Sequence, residues 1–220
     1  MIKQLLCALA CTLAVWGSAQ AQDFEPTLKE SLQKFNQTKD QSEKLNQSNR
    51  LNLIAKKFDS EWSAAYYAAW SKILLNYEEP SESKKDALLD EAEDWLSQAA
   101  SRSDKKNDQQ QSEIEALKAM IANARIGVNP ESRWMKYGKP FNEHLEAAKK
   151  LNENNPRIYF LKGTSLFYTP AAFGGGKKKA LEYFERAAAL FEKENKDQVT
   201  TITWGTEINN YYLEQCKSEK

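Results

Sequence analysis

The sequence predicts an all-α protein made of antiparallel helix pairs stacked into a short solenoid. Three observations carry that expectation. Apolar residues recur at three- and four-residue spacing along most of the chain. Strand-type alternation is nearly absent. Small residues recur at the positions where paired helices must touch.

The 220 residues open with a leader. Lys3 supplies a positive n-region, Leu5 to Trp16 form an uncharged apolar run, and Gly17-Ser18-Ala19-Gln20-Ala21 follows. Ala19 and Ala21 occupy the small-residue positions that a signal peptidase requires. The run is shorter than the roughly 20 residues of a membrane span. Residues 1–21 therefore read as a signal peptide cleaved after Ala21, which makes the mature chain periplasmic or secreted. A lipoprotein modified at Cys11, behind Ala8-Leu9-Ala10, is the weaker alternative, because the apolar run continues past it to Trp16.

Beyond the leader no stretch is long and apolar enough for a transmembrane helix. Cys7 and Cys11 lie in the leader, so Cys216 alone remains and stability must come from an ordinary core. Basic and acidic residues balance at 31 each. Losing Lys3 leaves a net charge of about −1, which favours neither nucleic acid nor an acidic membrane surface as partner.

Residues 22–58 read as an N-terminal helical segment and residues 59–220 as a helical repeat domain. In the first, Phe24, Leu28, Leu32 and Phe35 form one stripe, and Leu51, Ile54 and Phe58 form another. Their polar background suits either a docked helix pair or a mobile arm. The clearest helix carries Trp62, Ala65, Tyr66, Ala69, Trp70, Ile73, Leu74 and Tyr77, and Glu79-Pro80-Ser81 ends it. Its partner runs through Leu88, Leu89, Ala92, Trp95, Leu96 and Ala99. After a polar turn within residues 101–112, Ile114, Leu117, Met120, Ile121 and Ala124 mark the next helix, which ends near Gly127 to Pro130. Trp134, Phe141, Leu145 and Ala148 follow, closed by Asn152 to Pro156. Ile158, Leu161, Ser165 and Tyr168 then run to Thr169-Pro170, and Ala180, Phe184, Ala187 and Phe191 come after a glycine loop. A last short helix is placed around Trp204, Ile208 and Tyr211, giving about nine helices.

Three of the second helices share a small-or-aromatic, x3, apolar, x2, Ala signature: Ala92-Leu96-Ala99, Phe141-Leu145-Ala148 and Ala180-Phe184-Ala187. Each first helix places a small residue at the close-contact position, namely Ala69, Ala119 and Gly163. On these residues the chain resembles the tetratricopeptide-repeat (TPR) family, best over Pro156 to Ala187. The resemblance implies a right-handed superhelix whose first helices line a concave groove. The corresponding alanines Ala99, Ala148 and Ala187 lie farther apart than the about 34 residues of a regular array. The extra residues fall at Ile126 to Lys139 and Thr169 to Lys177. The second insertion, Pro170-Ala171-Ala172-Phe173-Gly174-Gly175-Gly176, is similar to that of uncharacterised secreted bacterial repeat proteins. A fainter likeness is to the periplasmic repeat component (T-component) of TRAP-type transporters.

Chemistry-bearing patterns are few. Gly174 to Gly176 with Lys177, Lys178 and Lys179 could make an anion site, but the Walker spacing is absent and a turn that needs positive φ accounts for the glycines. His144 is the single histidine. It has no patterned metal-ligand companions and reads as a solvated surface residue. Asp90, Glu91, Glu93 and Asp94 read as a solvated helix face opposite Lys84 and Lys85. No catalytic residue, metal site or cofactor is called for.

The first helices carry the candidate groove: Tyr66, Trp70, Met120, Asn123, Arg157, Phe160, Thr164 and Tyr168. Large aromatics with a few polar groups suit a binding surface. Core packing competes with that reading, most strongly for Tyr66 and Trp70. The expected function is non-catalytic: binding a periplasmic protein or peptide segment in the groove. The alternative is a small-ligand-binding accessory of a periplasmic transporter.

Overall fold

A computed structural model describes residues 23–194 and 201–218; the leader expected over residues 1–21 lies outside them. Among the described residues the chain is helical, with no strand. The elements are α1 (23–37), α2 (Gln41–Lys57), α3 (Trp62–Glu78), α4 (Glu82–Arg102), α5 (Asp108–Val128), α6 (Pro130–Leu151), α7 (Pro156–Tyr168), α8 (Lys177–Phe191) and α9 (Thr206–Lys217). None of these helices is long and apolar enough to cross a membrane.

Short polar residues punctuate the chain. The side chains of Asp40, Asn107, Asn129 and Asn155 accept backbone N–H groups in the first turns of α2, α5, α6 and α7. Each satisfies a donor that the start of a helix leaves unpaired. Pro130 and Pro156 open α6 and α7, where the missing N–H costs nothing. Asn155-Pro156 thus both stops α6 and starts α7.

Helices α3, α5 and α7 pack on their partners α4, α6 and α8 and also on one another, so they form an inner row with the partners outside. Short turns make each pair antiparallel, and the three inner helices therefore run in the same direction. The molecule has a starting edge, where inner helices begin, and a finishing edge, where they end. Ala69 and Ala119 are fully buried at the crossings. A Cβ added at Gly163 would stand 2.8 Å from the Phe184 ring, so only glycine lets α7 approach α8 this closely.

The N-terminal residues are a docked pair. Leu28 and Phe35 of α1 are fully buried, and the Phe35 ring lies 5.6 Å from that of Trp70 on α3. Other details differ from the sequence expectation. The first insertion, Ile126 to Lys139, is almost entirely helical: it lengthens α5 and α6 instead of forming a loop. Trp134, expected on the buried stripe of α6, is 60% exposed in the second turn of that helix, next to Arg133, which pairs with Asp86 of α4. Trp204 precedes α9 instead of lying within it. The acidic face of α4 meets Arg125, Arg133 and Lys72 rather than Lys84 and Lys85. Asp86, Asp90 and Glu93 bond Arg125, Asp86 also binds Arg133, and Glu91 lies 2.8 Å from the buried Lys72. His144 is half-buried, with Nδ1 2.7 Å from Glu115.

The glycine loop is a built turn. Gly174 and Gly176 have φ of 88° and 102°, and a Cβ at Gly175 would lie 2.2 Å from the Thr169 carbonyl oxygen. The N–H groups of Gly174, Gly175 and Gly176 donate to the carbonyls of Ala171, Pro170 and Leu166. Those donors are spent inside the loop, which removes the basis of an anion site there.

Candidate binding site on the inner helices

The eight groove residues expected from the sequence fall into two halves of the inner face. In the starting half, Tyr66, Trp70, Met120, Arg157 and Phe160 are all buried. Tyr66, Trp70, Arg157 and Phe160 lie against residues 201–205, a non-helical strap that leads into α9. The Trp204 indole donates to the Tyr66 hydroxyl at 2.9 Å, and the Thr203 N–H donates to the Tyr67 hydroxyl at 3.1 Å. The Trp204 ring packs 6.2 Å from Trp70 and 6.1 Å from Phe160.

Arg157 fastens the strap. Its guanidinium, fully buried, donates to the Ile202 carbonyl at 2.7 Å, to Glu113 at 3.0 Å and to Glu194 at 2.6 Å. Burial works against the arginine's charge, yet the two carboxylates hold its pKa above the ordinary value. Glu113 also accepts from Tyr66 at 3.2 Å, and desolvation pushes its carboxyl up to about 7 against the pull of Arg157.

The finishing half is open. Asn123 and Thr164 are half-buried there, and Tyr168 is 69% exposed. Tyr77 ends α3 close enough to Tyr168 for the two phenols to interact electrostatically. The Tyr168 hydroxyl lies 2.9 Å from that of Tyr212 on α9, whose ring stands 5.1 Å from Phe167 and 5.4 Å from Tyr211. Tyr77 is 48% exposed, yet desolvation still raises the pKa of its hydroxyl. Lys177 stands over the Phe167 ring at 5.6 Å.

This mouth draws Tyr77 from α3, Tyr168 from α7 and Tyr211 and Tyr212 from α9. Sequence reasoning placed Tyr168 here and missed the others. Tyr77 was assigned to the apolar stripe, and α9 carries no signal that it folds back against the end of α7.

A concavity lies outside the inner row. It is a cleft of about 480 Å³ between α4, α5 and α6, floored by Leu96, Ala100, Ile121 and Ala122 and walled by Tyr137, Pro140 and His144. Its cations are engaged: Arg125 by Asp86, Asp90 and Glu93, and Lys118 by Glu115 at 2.7 Å. Burial opposes ionisation of Glu115, but His144 and Lys118 keep its pKa below the ordinary value. The charged groups that line the cleft are Arg125, Lys118 and Glu93, with His144 beside them. Among the described residues no group of three or more His, Cys, Asp or Glu side chains is arranged to hold a metal ion.

The fold and these surfaces define a stack of helix pairs with an exposed tyrosine cluster at the end of its inner row. No family model matches the chain, and no curated protein does. Among solved structures, the HusA haemophore from Porphyromonas gingivalis is similar, with 33% sequence identity and a TM-score of 0.77. The match covers 91% of this chain and 96% of that one. The chain belongs to the family of that haemophore.

Proposed function

We propose that this protein is an exported, non-catalytic carrier that binds a porphyrin, haem included, in the tyrosine-lined mouth of its inner face. The convergence of Tyr77, Tyr168, Tyr211 and Tyr212 from three helices, with Tyr168 and Tyr211 more than half exposed and Tyr77 48% exposed, carries the reading. A porphyrin is a flat apolar disc with carboxylates on one rim. It needs aromatic faces to stack on and donors at the edge, and phenols supply both. Membership of the haemophore's family supports the ligand class, and the leader at residues 1–21 supports export.

A tetratricopeptide-like stack suits this role, since small residues at the crossings leave the inner row free to present side chains. Of the two ligands the sequence suggests, a small molecule is favoured over a peptide segment. A peptide lying along the groove would need the starting half, and the strap occupies it. The outer cleft, with Tyr137 and His144 on its wall, is the competing site, and there Arg125 and Lys118 are already engaged by carboxylates.

Titrating the protein with iron and metal-free protoporphyrin, followed by Soret absorbance, tests this. Replacing Tyr168 and Tyr211 together by Ala should weaken both ligands about tenfold or more, which is roughly 1.4 kcal/mol. His144→Ala should leave affinity and band position unchanged. The mouth is the wrong site if His144→Ala abolishes binding while the tyrosine variant binds normally, and the function is wrong if neither porphyrin binds the native protein.

A further inference from the structure

The finishing edge carries features that cargo binding does not use. Among the described residues nine large apolar or aromatic side chains are exposed, and five of them, Tyr77, Trp134, Met135, Tyr168 and Phe173, stand at the finishing edge. None belongs to the starting-edge turns between α2 and α3, α4 and α5, or α6 and α7. So uneven a distribution marks one edge for contact.

Three of the five lie outside the mouth. Counted from the paired Glu113 and Arg157, α5 runs a turn farther than α7, about 6 Å, and the tip of the α5–α6 hairpin lies beside the start of α4, with Asn129 Nδ2 3.5 Å from Glu82. Near that tip Trp134 is 60% and Met135 73% exposed. In the neighbouring α7–α8 turn Phe173, on a 3-10 helix, is 82% exposed. Exposed lysines flank each turn: Lys136 and Lys139 beside the first, Lys178 and Lys179 beside the second. Lys139 lies 3.5 Å from Glu143 and Lys179 donates to the Gly174 carbonyl, so Lys136 and Lys178 are the exposed cations that bear on the argument. Of the acids on this edge, Asp86 is paired with Arg125 and Arg133, while Glu82 and Glu131 are exposed.

We infer that the finishing edge docks on an anionic lipid surface. Separate apolar tips on two turns, each beside lysines, suit a bilayer: the tips enter the interfacial layer while the lysines meet anionic headgroups. The mouth opens on the same edge, through Tyr77 and Tyr168. Docking there would hold it against the layer into which an amphiphilic disc partitions. The docking itself does not depend on the porphyrin reading.

Sedimentation of the full protein with phosphatidylcholine vesicles, with and without phosphatidylglycerol, tests the inference. Binding is expected to the anionic vesicles only and to weaken as salt is raised. Replacing Trp134, Met135 and Phe173 together by Ser should reduce it at least tenfold while leaving porphyrin affinity measured without vesicles unchanged. Lys136→Glu with Lys178→Glu should reduce it as well. Native protein that stays in the supernatant with anionic vesicles, that binds neutral vesicles equally, or whose triple-serine variant binds as tightly, would overturn the proposal. Loss of porphyrin binding with vesicle docking intact would sink the carrier reading alone.

Discussion

The two halves of the inner face begin from the same material and end differently. Both are built from aromatic side chains at helical spacing on α3 and α7. Where those helices begin, Tyr66, Trp70 and Phe160 are buried because Ile202 and Trp204 lie over them and Arg157 bonds the strap's backbone. Where they end, Tyr77 and Tyr168 have no such cover. Helical periodicity decides which side of a helix turns inward. Whether the inward side is then sealed depends on a segment far away in sequence, and that segment converts half of a groove into core.

The sealed half should be the costlier to disturb. Arg157→Ala would leave Glu113 and Glu194 without their shared cation and free the strap's carbonyl. Breaking a buried ion pair by removing one partner costs roughly 3–5 kcal/mol, and a drop of that size is expected in urea unfolding. A loss below about 1 kcal/mol, the range of an exposed pair, would mean that the strap is not fastened as described.

Trp204→Ala comes next. Truncating a buried tryptophan costs about 3 kcal/mol or more, and here it would uncover Trp70 and Phe160. The same variant should bind apolar dyes that the native protein excludes, since the starting half would become a continuation of the mouth. If the fold loses stability without gaining such a site, the strap is core and nothing else.

The acid–base behaviour of the sealed half is distinctive as well. Glu113 has a folded pKa raised to about 7 from an ordinary 4.5, so the folded state resists its ionisation. Below 4.5 the group is protonated in both states and imposes no penalty. As pH rises, the penalty grows, and it is complete once pH passes about 7. Asp86 on the outer face runs the other way. The hydrogen bond from Arg133 is the largest cause lowering its pKa to about 2, so its contribution is present above 3.8 and lost only as pH falls towards 2. Urea midpoints measured from pH 5 to 8 should therefore fall for the native protein and flatten for Glu113→Gln. An equal slope in both would remove Glu113 as the cause.

The contrast between halves also explains what the sequence could reveal. Helix identity, the pairing and the close contacts at Ala69, Ala119 and Gly163 were legible because burial follows periodicity and small size. Arg157 was legible as an inner residue, but its partners were not: Glu194 and the Ile202 carbonyl lie beyond α8, and no local pattern links them to α7. Trp204 has the composition of a helix stripe, which hid its place in an irregular crossing. Trp134 misled for the opposite reason, since it keeps the period of α6 and is nonetheless 60% exposed. Periodicity reports facing, and it is silent about whether a neighbour covers the face.

The open half yields the smallest change in stability. Tyr168 is 69% exposed, and its hydroxyl meets Tyr212 at the surface. Tyr168→Ala should shift unfolding by no more than about 0.5 kcal/mol, the usual range for an exposed site. The Tyr212 ring should stay where it is, because Phe184 stacks on it at 5.3 Å with 7° between the planes. A residue that contributes this little to folding, yet holds a large aromatic face in water beside three other tyrosines, is explained by what it contacts in the bound state. Tyr168→Phe separates the two uses of the ring: it keeps the face and removes the hydroxyl. If stacking carries the affinity, Phe retains porphyrin binding where Ala loses it. If the hydroxyl pair with Tyr212 is the recognition element, Phe and Ala lose it alike.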